Sequence, residues 1–142
     1  MYKYLLFLLV FGLSVSMSAQ DVFGKWISID DKTNEEKSVV EIYKKDGKVF
    51  GKIVKLLRPQ DRDSLCEKCE GEDYNKPVLG FELIKNMSKD GAHYENGTIF
   101  DPENGKKYKC RLALDTHDSD ILEVRGYIAF FYATQYWKRI VE

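Results

Sequence analysis

Turn signals recur at short intervals along most of the chain, and this spacing leaves room only for short elements between them. Asp46-Gly47 separates the runs VVEIY and VFGKIV, which is a strong signal for a two-residue hairpin turn. No intervening segment has a stripe of apolar residues at helical spacing. We therefore predict strands joined mainly by hairpins, with further turns at residues 30–37, 88–92, 101–106 and 115–120.

Between the turns, apolar and polar residues alternate, as they do in a strand that buries one face. The segment KYKCRLALD is a clear case, with Tyr108, Cys110, Leu112 and Leu114 on one face and Lys107, Lys109 and Arg111 on the other. The predicted strands are 23–30, 37–45, 48–57, 79–86, 92–100, 106–115, 120–129 and 133–141.

About eight antiparallel strands must protect the unpaired backbone groups at the edges of their sheet. Closure into an up-and-down barrel removes the edges, and the regular hairpin connections favour it over a two-sheet sandwich, which is the alternative architecture. The predicted fold class is thus all-β, a single antiparallel up-and-down barrel. A barrel of this size is either filled by side chains or encloses one small ligand.

The N-terminal segment has the plan of a secretory signal peptide. Lys3 precedes a short apolar run, and small residues follow it. The run is short for a membrane span, although an uncleaved anchor is the alternative. We expect cleavage between Ala19 and Gln20, which removes residues 1–19 and leaves residues 20–142 as one domain. The mature protein is then expected in the periplasm or outside the cell.

The charge balance bears on the class of partner. The chain has 22 Lys and Arg against 23 Asp and Glu, a formal net charge of −1. A nearly neutral chain gives no electrostatic footprint for nucleic acid or anionic lipid. No segment after the signal peptide is apolar enough to cross a bilayer. We expect no nucleic-acid partner and no membrane span in the mature chain.

Several motifs occur in an order that resembles one bacterial family. They are GKW (24–26), KDGKVFGKIVKL (45–56), NKPVLG (75–80), NGTIFDPENGKKYKCRL (96–112), LEVRGY (122–127) and TQYWKR (134–139). Together they are similar to the domain of unknown function 2147 family of exported bacterial proteins. The resemblance implies export and a lipocalin-like β-barrel. It implies no catalytic mechanism, so we assign no catalytic residue and no cofactor.

Cys66 and Cys69 lie close together in the longest connection, residues 58–77. They could act as a redox pair, form half of a zinc site, or pair as a local disulfide. Acidic neighbours disfavour the thiolate that redox chemistry needs, and no other residues have zinc-site spacing. We therefore predict a disulfide worth about 2 kcal/mol, and no metal site. Cys110 is either a buried free thiol or part of a cavity wall.

Trp26, near the start of the first strand, and Arg139, near the end of the last, become neighbours if the barrel closes. A guanidinium stacked on the indole contributes about 1 kcal/mol. We expect a structural role for this pair at the closed end of the barrel. Trp137 shares a strand face with Arg139, so it either joins their cluster or faces a ligand.

The segment 126–137 contains six aromatic residues. Such density is typical of core packing, or of the wall of a pocket for a small apolar ligand. The second interpretation predicts four ligand-binding residues: Tyr108, Tyr127, Phe131 and Trp137.

The predicted barrel leaves three hypotheses for function. The first is non-catalytic binding of a small apolar or amphipathic molecule inside the barrel. The second is an enzyme of unknown class at the barrel mouth, which would use polar groups of the long connection: Arg58, Asp61, Asp63 and Asp73. The third is a protein-interaction module that uses the outer surface. The sequence identifies neither a ligand nor a reaction.

Overall fold

The structure is a computed structural model that describes residues 21–141, and the predicted signal peptide lies outside these described residues. The chain forms one closed barrel of eight antiparallel strands, each paired with the next and the last with the first. The strands are β1 (Gly24–Ile29), β2 (Glu36–Lys45), β3 (Lys48–Leu56), β4 (Glu82–Asp90), β5 (His93–Asp101), β6 (Lys106–Leu114), β7 (Ile121–Ile128) and β8 (Phe131–Arg139). Within the described range, no helix is long and apolar enough to span a membrane.

The predicted fold class is confirmed, and β4 is the strand whose position differs most from the prediction. It begins at Glu82 and continues to Asp90, whereas the alternation predicted residues 79–86. The start is late because a turn precedes the strand: Gly80 has a φ of 88°, and the amide of Phe81 donates to the carbonyl of Val78. Of the predicted turn at residues 88–92, only Gly91 and Ala92 form the β4–β5 turn, and the first three residues belong to β4.

The two ends of the barrel differ because an up-and-down chain places alternate connections at opposite ends. One end has the short β2–β3 and β4–β5 turns, the β6–β7 connection and the two termini of the barrel, and most of the core lies there. Its largest fully buried side chains include Trp26, Ile42, Ile84, Met87, Leu112 and Leu122. We call this the closed end, and the opposite one the open end.

Trp26 and Arg139 meet at the closed end, where β1 pairs with β8. The guanidinium carbon of Arg139 lies 4.2 Å from the ring centroid of Trp26. The indole N–H donates to the carbonyl of Val22 at 2.8 Å, and Arg139 donates to the carbonyls of Asp21 and Phe23 at 2.8 and 3.0 Å. These contacts attach the chain before β1 to the end of the barrel.

The long connection between β3 and β4 is folded upon itself at the open end. Cys66 and Cys69 form a disulfide, and both are buried. Leu65 pairs with Pro77 in an isolated β-bridge, which brings the two arms of the connection together. The amide of Cys66 donates to the carbonyl of Lys76 at 2.7 Å. The disulfide therefore tightens a structured cap and makes no link between strands.

A candidate ligand-binding cavity

The open half of the barrel contains a cavity of about 900 Å³. This volume lies in the range of pockets that enclose a small molecule, about 300–1,000 Å³. Small residues on neighbouring strands make the space, because Gly126 pairs with Ala133 and both line the cavity. Its apolar wall includes Ile53, Leu56, Leu83, Ile99, Val124 and Trp137.

The polar groups inside the cavity are neutral and are held by hydrogen bonds to protein atoms. The hydroxyls of Ser28 and Ser38 lie 2.6 Å apart. Trp137 donates its indole N–H to the side-chain oxygen of Gln135 at 2.8 Å. The hydroxyl of Tyr108 accepts a bond of 2.9 Å from the amide of Asn104. The interior therefore offers a few oriented polar contacts on an otherwise apolar surface, and the charged lining residues lie at the strand ends and loops of the mouth.

Arg58 organises the mouth of the cavity. Its guanidinium contacts carboxylates from three different connections: Asp61 at 2.5 Å, Glu103 at 2.9 Å and Asp30 at 3.0 Å. Lys37 also contacts Glu103, at 3.1 Å. Since the side chains of Arg58 and Asp30 are largely shielded from water, this network fixes the long connection against the β1–β2 and β5–β6 connections.

We predict that the mouth network loosens in acid. Backbone N–H bonds from Lys32 and Thr33, and then the Arg58 guanidinium, lower the pKa of Asp30 below 3.8. A lowered folded-state pKa stabilises the protein above the unfolded value, and that stabilisation is lost as the pH falls through the folded pKa. Between about pH 5 and pH 3, we therefore expect the wild type to lose more stability than Asp30→Asn.

Urea unfolding at a series of pH values checks this prediction. The variant Arg58→Met should retain part of the wild-type pH dependence, because the two backbone N–H bonds to Asp30 remain. Identical pH profiles for the wild type and Asp30→Asn would contradict the assignment.

The structure separates the four residues predicted to bind a ligand. Tyr108 and Trp137 line the cavity. Tyr127 does not, because its neighbour Gly126 faces inward and the side chain of Tyr127 packs against Tyr132 on the outside. Phe131 is on the same face of β8 as Ala133 and Trp137, which point inward. It lies beyond the cavity, however, at the start of the strand, and is exposed. Tyr127 and Phe131 therefore do not line this cavity, and ligand binding by Tyr108 and Trp137 stays a prediction.

The other predicted residues lie away from the cavity wall. Trp26 and Arg139 are at the closed end. Cys110 is a free thiol inside the core, and burial raises its pKa to about 12, so it is poorly suited to act as a nucleophile. The disulfide means that Cys66 and Cys69 carry no free thiolate for a zinc site.

The residues of the second hypothesis do not converge on one point. Asp61 lines the cavity and is bound by Arg58, while Asp63 and Asp73 are absent from its wall. Asp73 instead lies 3.6 Å from Lys76 in an exposed ion pair. The structure therefore adds no support for catalysis at the mouth.

Sequence reasoning missed the polar lining of the cavity and the network of Arg58. Ala133 and Gln135 alternate with Trp137 along β8 and so lie on the same strand face. Strict alternation could therefore have predicted that both face inward. Ser28 and Ser38 lie directly opposite each other on paired strands, but only the register reveals this. Asp61 lies only three residues from Arg58, but Asp30 and Glu103 are too distant from it in sequence for any local pattern to connect them.

A possible metal-binding cluster lies at the β4–β5 hairpin, away from the cavity. The Nε2 atom of His93 is 2.9 Å from an oxygen of Glu95 and 3.9 Å from one of Asp90. Their ligand atoms all lie within 4.8 Å of one another. However, the guanidinium of Arg111 is 3.7 Å from the same Glu95 oxygen, and its charge opposes a bound cation. We assign this cluster no function.

A closed eight-stranded antiparallel barrel with a cavity at one end belongs to the lipocalin-like class of folds. The chain itself is a member of the domain of unknown function 2147 family, described as an uncharacterized protein conserved in bacteria, whose profile matches residues 24–139. The family resemblance seen in the sequence motifs is thereby confirmed.

A solved structure with a similar fold is HP1028 from the human pathogen Helicobacter pylori, which is described as belonging to the lipocalin family. The two structures superpose with a TM-score of 0.76, at 17% sequence identity, over 87% of this chain and 86% of that one. At this level of identity the likeness shows the fold alone. No curated protein matches the chain.

Proposed function

We propose that the protein is a non-catalytic carrier or receptor of a small apolar or amphipathic molecule, which it holds in the barrel cavity. The observation that supports this most directly is the cavity of about 900 Å³, whose interior is apolar with a few neutral polar groups and whose charged lining residues lie at the mouth. Pockets for small molecules have this composition, because apolar contact supplies affinity and a few polar groups fix the orientation.

The arrangement of the wall favours a particular orientation of the ligand. Ile53, Val124 and Trp137 lie deeper in the barrel than the charged groups of the mouth. An apolar end would therefore enter first, while a polar end would stay near Ser28 and Gln135 or reach the mouth. The cap formed by the β3–β4 connection would limit access of water to the bound molecule.

We propose that the protein functions in the periplasm or outside the cell. The N-terminal segment supports this proposal by its signal-peptide pattern. The disulfide between Cys66 and Cys69 supports it independently, because such bonds persist in oxidising compartments.

Filling the cavity should abolish binding. We expect Ala133→Phe to lower the affinity for a fluorescent apolar probe such as anilinonaphthalene sulfonate at least tenfold, because the new ring occupies the space beside Gly126. The matched control is Lys138→Phe, which adds the same ring on the outward face of the same strand. Fluorescence titration measures both affinities, and equal affinities would place the probe outside the cavity.

The two tryptophans provide a second readout of the same proposal. Trp137 lines the cavity, whereas Trp26 is fully buried at the closed end. A ligand in the cavity should therefore change the fluorescence of the wild type, and Trp137→Phe should remove most of that change. A panel of lipids and small hydrophobic molecules that produces no response, by either fluorescence or calorimetry, would count against the proposed function.

A further inference from the structure

The tip of the β7–β8 hairpin presents an unusual amount of apolar surface to solvent. We call residues 128–132 the aromatic tip. Phe130 is 99% exposed, Phe131 79% and Tyr132 62%, and Ile128 is also exposed. Scattered exposed apolar residues are normal, but a contiguous exposed group indicates an interaction site.

The turn within the aromatic tip is not optimised for folding. Ala129 has a φ of 50°, in a left-handed region that residues with a Cβ adopt at a cost. In the β2–β3 turn, the residues with positive φ angles are Asp46 and Gly47, at 52° and 77°, which are residue types that adopt this region more readily. A glycine or asparagine at residue 129 and a polar residue at 130 would suit a hairpin better. The aromatic tip therefore departs from the turn chemistry that the rest of the barrel uses.

Positive charge lies beside the aromatic tip. The register pairs Lys109 with Tyr127, and Lys107 lies two residues closer to the open end; both lysines are exposed. The guanidinium carbon of Arg125 lies 4.5 Å from the ring centroid of Tyr132. On the outward faces of β6 and β7, basic side chains thus adjoin the exposed aromatic rings. The near-zero net charge of the whole chain conceals this local concentration.

Most acidic residues of the open end lie away from β6. Asp31, on the β1–β2 connection beyond β8, accepts a bond of 2.8 Å from Gln135, and the β3–β4 connection contains six further acids. Glu103, on the β5–β6 turn, is already paired with Arg58 and Lys37. Asp101 is on the neighbouring strand, where the register pairs it with Lys106. Glu123 lies on the outward face of β7, but toward its closed-end start. The surface next to the aromatic tip on the β6 side is therefore predominantly basic.

We propose that the aromatic tip docks on the surface of an anionic lipid bilayer. Phe130 and Phe131 would enter the interface, where aromatic side chains are favoured, while Lys107 and Lys109 contact the headgroups. The apolar residues lie on a protruding turn and not in a groove, and this shape suits insertion into a deformable surface better than binding to a partner protein. The inference goes beyond the proposed function, because it does not require that the cavity hold a ligand.

Docking would also orient the barrel. The β7–β8 turn lies at the open end, and Ala133, one residue after Tyr132, lines the cavity. A bilayer at the aromatic tip would therefore lie next to the cavity mouth. An apolar ligand would then have a short path between membrane and cavity.

Co-sedimentation with lipid vesicles tests the inference, using a chain that begins at Gln20 so that the signal segment cannot contribute. We expect binding to phosphatidylcholine vesicles containing one-third phosphatidylglycerol, and at least tenfold weaker binding to phosphatidylcholine alone or at high salt. The double variant Phe130→Ser with Phe131→Ser should reduce binding to the anionic vesicles at least tenfold. The matched control, Tyr74→Ser, alters an aromatic residue exposed elsewhere and should bind like the wild type.

The contributions of the aromatic rings and of the lysines to binding can be measured separately. The variant Lys107→Gln with Lys109→Gln should bind anionic vesicles with at least tenfold lower affinity, and its affinity for neutral vesicles should be almost unchanged. In the variant Phe130→Trp, the new indole should be quenched by brominated lipid chains, which shows insertion directly. Circular dichroism confirms that each variant is folded, as expected for exposed positions.

Three outcomes would overturn the inference. The first is that the wild type fails to bind anionic vesicles. The second is that its binding is unchanged by the double serine substitution. The third is that the wild type forms a dimer in analytical ultracentrifugation, that the serine variant is monomeric, and that neither binds lipid; the aromatic tip would then contact a second copy of the chain.

Discussion

Replacing Trp26 by alanine is expected to lower the free energy of unfolding by about 3–5 kcal/mol. The indole is completely buried at the closed end, so its loss leaves a large cavity in the packed half of the barrel. The substitution also leaves the carbonyl of Val22 without its donor and removes the ring beneath the guanidinium of Arg139. Domains of this size are stable by only about 5–15 kcal/mol, so the effect should be severe.

Urea unfolding followed by far-ultraviolet circular dichroism measures this effect independently of tryptophan fluorescence. The control is Trp26→Phe, which restores most of the volume but not the N–H donor, so we expect it to cost about 1–3 kcal/mol. Under conditions where Trp26→Ala is folded, its affinity for an apolar probe should equal that of the wild type, because Trp26 does not line the cavity. A loss of stability below about 1 kcal/mol would show that the closed end is not packed around Trp26.

The substitution Gly97→Ala is expected to cost about 3 kcal/mol or more, at the upper end of the range for overpacking. A Cβ atom at residue 97 would collide with the carbonyl oxygen of Lys85 and the sulfur of Met87, and it would lie 2.8 Å from the backbone nitrogen of Met87. Two of these atoms belong to the backbone of β4, so side-chain rotation cannot relieve the clash. The strands β4 and β5 would have to separate at this point.

A glycine in a turn provides the matched control. Gly47 has a φ of 77°, and a Cβ atom there meets nothing within 4 Å. Gly47→Ala should therefore cost only the backbone strain of a left-handed residue, about 1–2 kcal/mol. Hydrogen exchange should show faster opening of β4–β5 amides in Gly97→Ala but not in Gly47→Ala. Equal losses of stability in the two variants would contradict the proposed close approach of β4 and β5.

Gly97 also illustrates the limit of sequence reasoning about this barrel. The dipeptide Asn96-Gly97 is part of a family motif, and locally it resembles a turn. In the structure it lies within β5, where Asn96 and its near neighbour on β4, Asn86, both have positive φ angles. The close contact with Met87 arises from the pairing of two strands, and no local pattern in the sequence reveals it.

The ligand-binding predictions show the same limit. Alternation correctly grouped Tyr108 with the inward residues of β6, but aromatic density alone could not distinguish Trp137 from Tyr127 or Phe131. The alternation of side chains between strand faces separates Tyr127 from Tyr108 and Trp137, because Tyr127 faces outward. Phe131 is on the inward-facing side of β8 and still misses the cavity, because it is the first residue of the strand and its side chain is exposed.

The number of strands, their approximate limits and their closure into a ring were all determined by the sequence itself. Alternation and turn chemistry act between near neighbours, and antiparallel strands that each follow the last along the chain leave few ways to protect the edges. The division of the barrel into a packed end and a hollow end was decided only by the tertiary structure. That division depends on the register between strands, which places Gly126 beside Ala133 and brings Asp30 and Glu103 to one guanidinium.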